Sequence, residues 1–62
     1  MLGWNVANIA ATVRDLTRRG VAFERFGGMA QDELGIWTST DRSKVAWFKD
    51  DDGNLLSLTQ SP

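Results

Sequence analysis

Apolar Leu2, Trp4 and Val6 alternate with Gly3 and Asn5, the period of a half-buried strand. The period then lengthens. Ile9, Val13 and Leu16 recur at spacings of four and three, which places them on one face of a helix and sends Arg14, Asp15, Arg18 and Arg19 elsewhere. Asn8 is suited to cap this helix, and Gly20 to end it behind two arginines whose charge favours a helix C-terminus. Val21 and Phe23 follow directly and are placed to fold back against the sheet. Gly27 to Leu34 reads as a loop, and Gly35 to Thr40 resumes strand character. Beyond a turn at Thr40-Asp41-Arg42-Ser43, Lys44 to Lys49 and Leu55 to Gln60 form a closing hairpin around Asp50 to Gly53. The predicted order is strand, helix and three strands. That is an α+β fold, a single βαβββ module over residues 1–62, with no internal repeat, low-complexity tract or linker.

Side chains alternate strictly along a strand, so pairing decides which residues share a face. With a four-residue turn from Asp50 to Gly53, Lys49 pairs with Asn54 and Phe48 with Leu55; the same arithmetic across Thr40 to Ser43 pairs Ile36 with Trp47. One face then holds Ile36, Val45, Trp47, Leu56 and Leu58 and is expected to cover the helix as the core. The other holds Trp37, Ser39, Ala46, Phe48, Leu55, Ser57 and Thr59, large apolar groups mixed with small hydroxyls. Ligand cavities have that composition, and so does a sheet surface facing solvent or a second subunit. Trp47 is thus expected in the core and Trp37 in the cavity.

Size changes the picture more than composition does. A chain of 62 residues buries only about 60% of its unfolded surface. Small domains usually need a disulfide, a metal or a partner chain, and this one has no cysteine and no histidine. Self-association is the remaining staple. A net charge of -1 lacks the basic footprint of nucleic-acid binding. No apolar run approaches the ~20 residues that span a bilayer, and the N-terminus lacks a signal-peptide pattern. The expectation is a cytoplasmic protein without nucleic-acid or membrane partners.

Few residues offer chemistry. Asp50-Asp51-Asp52-Gly53 suggests a calcium loop, but an EF-hand register with Gly53 at its sixth place would begin at Phe48 and end at Thr59, neither a carboxylate. A solvated turn explains the cluster better. Gly27-Gly28 lacks the pattern of a phosphate-binding loop. Ser39, Ser43 and Ser57 have no histidine to activate them, and nothing buries Lys44 or Lys49 as a catalytic base would require.

The run Trp47-Phe48-Lys49-Asp50-Asp51-Asp52-Gly53-Asn54-Leu55-Leu56-Ser57-Leu58 resembles the closing hairpin of the vicinal oxygen chelate superfamily, aromatic-Phe-x-Asp-Pro-Asp-Gly-Asn-apolar-apolar-Glu-apolar. That superfamily includes glyoxalase I, extradiol dioxygenases and bleomycin resistance proteins. Val6-Ala7-Asn8-Ile9-Ala10-Ala11-Thr12-Val13 is similar to its strand-to-helix junction, and Arg19-Gly20-Val21-Ala22-Phe23 to its helix exit. Two positions depart from the pattern: Asp51 replaces the usual Pro, and Ser57 replaces the carboxylate ligand of metal-binding members.

The resemblance implies that each βαβββ module forms half of an eight-stranded cup, two modules making the whole. Either two copies of this chain pair as a homodimer, or the chain is one half of a larger protein. Metal-using members hold a divalent ion with His and Glu from the first and last strands, positions occupied here by Met1 and Ser57. A thioether and a neutral hydroxyl suit a hard cation poorly, and the two glutamates, Glu24 and Glu33, lie outside the predicted strands. No metal and no cofactor are therefore expected. The implied function is metal-free sequestration of a small, partly apolar or aromatic molecule between paired modules, with Trp37 and Phe48 as walls and Ser57 and Thr59 as hydrogen-bonding groups. A metal-dependent glyoxalase-like or dioxygenase-like enzyme is the first alternative, and a structural or regulatory dimer without a small ligand the second.

Overall fold

The structure, a computed structural model, describes residues 2–62. Strand β1 (Leu2–Asn5) leads into helix α1 (Ile9–Arg18), followed by β2 (Trp37–Thr38), β3 (Lys44–Lys49) and β4 (Leu55–Gln60). The strands form one mixed sheet in the order β1-β4-β3-β2, with β1 parallel to β4 and the other neighbours antiparallel. The expected α+β class and element order are present in this single chain. Among the described residues, no helix is long and apolar enough to cross a membrane.

Both helix ends follow from local chemistry. Asn8 is extended and its Oδ1 accepts the Ala11 N–H at 3.1 Å, while Gln60 Oε1 accepts the Ile9 N–H at 2.9 Å and ties the helix start to the end of β4. At the other end Gly20, at φ +97°, lets its own N–H reach Thr17 O and the Val21 N–H reach Leu16 O. These are the paired bonds of a Schellman closure. The helix packs over β3 and β4 and buries Ile9 and Val13 against Ile36, Ala46 and Leu58.

The long connection from Val21 to Ile36 carries no regular element but is well ordered by side chains. Phe23 pairs with Phe48 beyond the end of β2, and the Glu24 N–H reaches Trp47 O at 2.8 Å. Gln31 accepts from Phe26 N–H and donates to Glu24 O and Gly35 O, and Asp32 accepts from Leu34 and Ile36 N–H. β2 is correspondingly shorter than the strand expected from Gly35 to Thr40.

The register differs from the expected one at both turns. Lys49 pairs with Leu55, Phe48 with Leu56 and Ala46 with Leu58; across the other turn Trp37 pairs with Val45. Five residues, not the four assumed, separate the last strand pair at each turn: three loop residues and a closing pair, Asp50 with Asn54 or Ser39 with Ser43. Asp50 N–H donates to Asn54 O and Gly53 N–H to Asp50 O, with Gly53 at φ +84°. Ser39 N–H likewise donates to Ser43 O and Arg42 N–H to Ser39 O, with Arg42 at φ 72°. Both are three-residue loops whose last member takes the left-handed conformation, a standard hairpin closure. Two successive one-residue shifts invert β3 alone. Ala46 and Phe48 therefore face the helix, Ala46 with no exposure at all, and Val45 and Trp47 face the opposite side.

Arg42 occupies a backbone region that costs an ordinary L-residue roughly 1–2 kcal/mol. Since glycine returns part of that gain through its extra unfolded entropy, Arg42→Gly is expected to stabilise the protein by about 0.5–1 kcal/mol. A rise in the urea midpoint at constant m-value would show it; an unchanged midpoint would mean that the loop relaxes around Arg42 at no cost.

Candidate functional site

Alternation gives the sheet two unlike faces. The helix covers Ala46, Phe48 and Leu58, and Leu56 is buried on the same side of the sheet. The open face holds Val45 and Trp47 from β3, Leu55, Ser57 and Thr59 from β4, Trp37 from β2 and Gly3 and Asn5 from β1, as the cross-strand pairs require. Val45, Trp47, Leu55, Ser57, Thr59 and Trp37 are all half-buried although no helix lies over them.

Of the residues expected to form a cavity, the structure brings Trp37, Leu55, Ser57 and Thr59 onto this one face. Ala46 and Phe48 are corrected to the helix side, because the turns shift β3 by one residue relative to each neighbour. Phe48 packs there on Phe23, with centroids 5.3 Å apart, and stacks with Trp4 at 6.4 Å. Ser39 belongs to a turn, where its hydroxyl donates to Asp41 Oδ1 and Ser43 O. Met1, one of the two positions implied for a metal, lies outside the described residues.

Two aromatic residues of the open face escaped sequence reasoning. Trp47, expected in the core, packs against Trp37 at 6.2 Å with a 39° tilt, and Phe26 meets Trp47 at 5.5 Å with the rings perpendicular. Phe26 comes from the loop expected to be plain connection. The sequence held no signal for it, since a single apolar residue in a loop is ordinary on a protein surface. Beside Trp47 the chain places Glu24, whose Oε1 stands 3.8 Å from Lys49 Nζ.

Ser57 sits at the centre of β4 between Gly3 and Trp47. A Cβ on Gly3 would come within 2.8 Å of Ser57 Oγ, so glycine there leaves room for the hydroxyl. The surrounding positions, Gly3, Trp47, Leu55 and Thr59, supply no carboxylate or imidazole. Among the described residues, no three or more His, Cys, Asp or Glu side chains gather to hold a metal ion. This donor set does not fit a hard divalent cation.

Clefts occur elsewhere. One of about 300 Å³ lies at the helix start among Asn8, Asp32, Thr38 and Lys44, one of about 580 Å³ beside Arg14, Arg18 and Leu34, and one of about 530 Å³ among Val21, Phe48 and Asp51. None includes Trp37, Trp47 or Phe26.

The acidic turn is a structural clasp rather than a ligand site. The Asp50 carboxylate accepts the Asp52 N–H at 2.9 Å, the Asn54 N–H at 2.8 Å and Asn54 Nδ2 at 3.1 Å. Asn54's backbone N–H, then its side-chain amide, hold the Asp50 carboxyl below its ordinary value of 3.8. Asp41 is lowered in the same way, first by the Ser39 hydroxyl and then by the Ser43 N–H. Because both folded-state values are depressed, the stabilisation is present above the unfolded value and is lost as pH falls through the folded one. Stability is thus expected to be flat near neutrality and to decline below pH 3.8, with the decline smaller in Asp50→Ser. Urea midpoints measured across the acid range in both proteins would show this; identical acid limbs would remove the assigned role of Asp50.

In comparisons with known proteins, no family model, no curated sequence and no solved structure matches this chain.

Proposed function

We propose that this chain is a half-cup module similar to those of the vicinal oxygen chelate superfamily, that two copies pair, and that the pair sequesters a small, partly apolar or aromatic molecule without a metal. The observation that carries this reading is the open sheet face. Trp37, Trp47 and Phe26 give it flat apolar walls, and Ser57 and Thr59 set hydroxyls among them. The βαβββ order and the hairpin motif Asp50 to Asn54 support the family likeness.

Pairing is supported by the sheet edge. Among the described residues β1 is hydrogen-bonded only to β4, which leaves its other edge without a partner there, and Leu2-Gly3-Trp4-Asn5 has no charge or proline to discourage strand addition. Two copies joined there would make one eight-stranded sheet. Small size makes such pairing a source of stability as well.

A second reading, a structural dimer without a small ligand, is favoured by one specific observation: the Trp37 and Phe26 rings each pack on Trp47 and so fill part of the face themselves. The metal-dependent enzyme has no such support, since the groups around Ser57 do not suit the ion.

Native mass spectrometry of the purified protein tests both halves of the proposal. A dimer carrying a small organic molecule, with a melting temperature that rises with protein concentration, is the expected result. A folded monomer at micromolar concentration would overturn pairing, and a dimer that neither carries nor takes up any small organic molecule, charged or neutral, would favour the structural reading.

A further inference from the structure

The arrangement of rings on the open face narrows the class of guest, on the assumption that this face is the binding surface proposed above. Trp47 is flanked by Trp37 at a 39° tilt and by Phe26 at 90°, so neither neighbouring ring lies parallel to it. Perpendicular rings present a corner in which a compact group touches more than one aromatic surface. A flat neutral guest, by contrast, is best held by parallel walls.

An acidic residue occupies the neighbouring position. The Phe23–Phe48 bridge and the Glu24 N–H to Trp47 O bond set Glu24 at the register position beside Trp47. Among the described residues its carboxylate has one cationic partner, Lys49 Nζ at 3.8 Å, near the outer limit of an ion pair, with both side chains partly exposed. Such a pair is weak and open to competition. Aromatic faces attract cations through the ring quadrupole, and a cation that sheds its water easily gains most.

We infer that the corner formed by Phe26, Trp37 and Trp47, with Glu24 beside it, binds an organic cation of the quaternary or N-methylated ammonium class. The methyl groups contact the rings and the positive charge is shared between their faces and the carboxylate. Ser57 and Thr59, farther along the face, remain available for a polar tail of the same molecule. Metal cations are poor guests here because their tightly bound water is not replaced by rings.

Choline and the neutral alcohol in which a quaternary carbon replaces its nitrogen have almost the same shape, so they separate charge from size. The experiment titrates each into the full chain carrying Trp4→Phe, which removes the tryptophan of the helix side, at constant ionic strength and with tryptophan fluorescence as the readout. Choline is expected to bind at least about tenfold more tightly than the alcohol, a difference of about 1.4 kcal/mol. Glu24→Gln is expected to weaken choline about three- to tenfold while leaving the alcohol unchanged. Trp37→Leu, checked for folding by circular dichroism, should abolish the response to choline. Equal binding of choline and the alcohol would overturn the inference, as would choline affinity unaffected by Glu24→Gln. If neutral naphthol binds but choline does not, the cation assignment fails and the proposed binding face stands. If neither binds, the binding face itself is refuted.

Discussion

Ala46→Asp is expected to leave the chain unfolded, whereas Val45→Asp, one residue earlier in β3, leaves it folded. Ala46 has no exposed surface and lies opposite Leu58 beneath the helix, in contact with a cluster that includes Ile9 and Val13. A carboxylate there has no cation or donor to meet it and must either lose its hydration, at several kcal/mol, or expel the helix. A globular chain of this length commands only about 3 to 9 kcal/mol in total. Val45 is half-buried on the open face beside Thr59 and Trp37, where an aspartate reaches water and costs roughly 1 kcal/mol of strand preference. Far-UV circular dichroism and urea titration of the two variants separate the outcomes. The pairing expected from a four-residue turn requires the reverse, so a folded Ala46→Asp with an unfolded Val45→Asp would restore that register and return Phe48 to the open face.

The inversion of β3 shows which part of the fold was legible. Helix α1 could be placed from Asn8, the spacing of Ile9, Val13 and Leu16, and Gly20, and all of these act as anticipated. Ile36, Leu56 and Leu58 were likewise assigned to the core and are buried there. The strand Lys44-Val45-Ala46-Trp47-Phe48-Lys49 has apolar residues on both faces, so its own alternation gives no direction. Only the turns decide it. The Asp50 carboxylate, by gathering Asp52 and Asn54, sets Asn54 opposite Asp50 instead of Lys49 and moves every later pair by one. Ala46 then has a clear use: it is the small residue over which the helix comes close. The same shift explains why four of the seven residues expected on one face still share it. Trp37, Leu55, Ser57 and Thr59 lie on strands that kept their faces, while Ala46 and Phe48 changed places with Val45 and Trp47.

Phe26 and Glu24 were not legible because their placement depends on an edge contact between distant segments. The Phe23–Phe48 bridge carries the chain alongside β3, and the Gln31 amide then holds Phe26 N–H, Glu24 O and Gly35 O together. No local period announces such a contact. A single polar side chain satisfying three backbone groups substitutes here for the ladder that a longer β2 would have supplied.

Ile9→Ala is expected to cost about 2 to 5 kcal/mol, as truncation of a buried isoleucine commonly does. Ile9 is 1% exposed and, with Val13, is one of the two largest fully buried side chains. The helix has no independent means of surviving the loss. At ten residues it is shorter than the roughly 12–15 at which an isolated helix becomes even marginal in water, so its stability comes from docking. Gln60 caps the Ile9 N–H from the end of β4, but that bond holds only while the apolar side chain keeps the helix against the sheet. Undocking α1 also exposes Ala46 and Leu58, so the loss spreads through the cluster rather than remaining local. Urea titration followed by circular dichroism is expected to show a large fall in midpoint, with the helix and the sheet lost together. Arg14→Ala, on the exposed side of the same helix, should stay within about 0.5 kcal/mol of the parent. If Ile9→Ala instead melts only the helical signal and leaves the sheet intact, the four strands hold together without the helix, and the core described around Ile9 and Val13 is not what closes the fold.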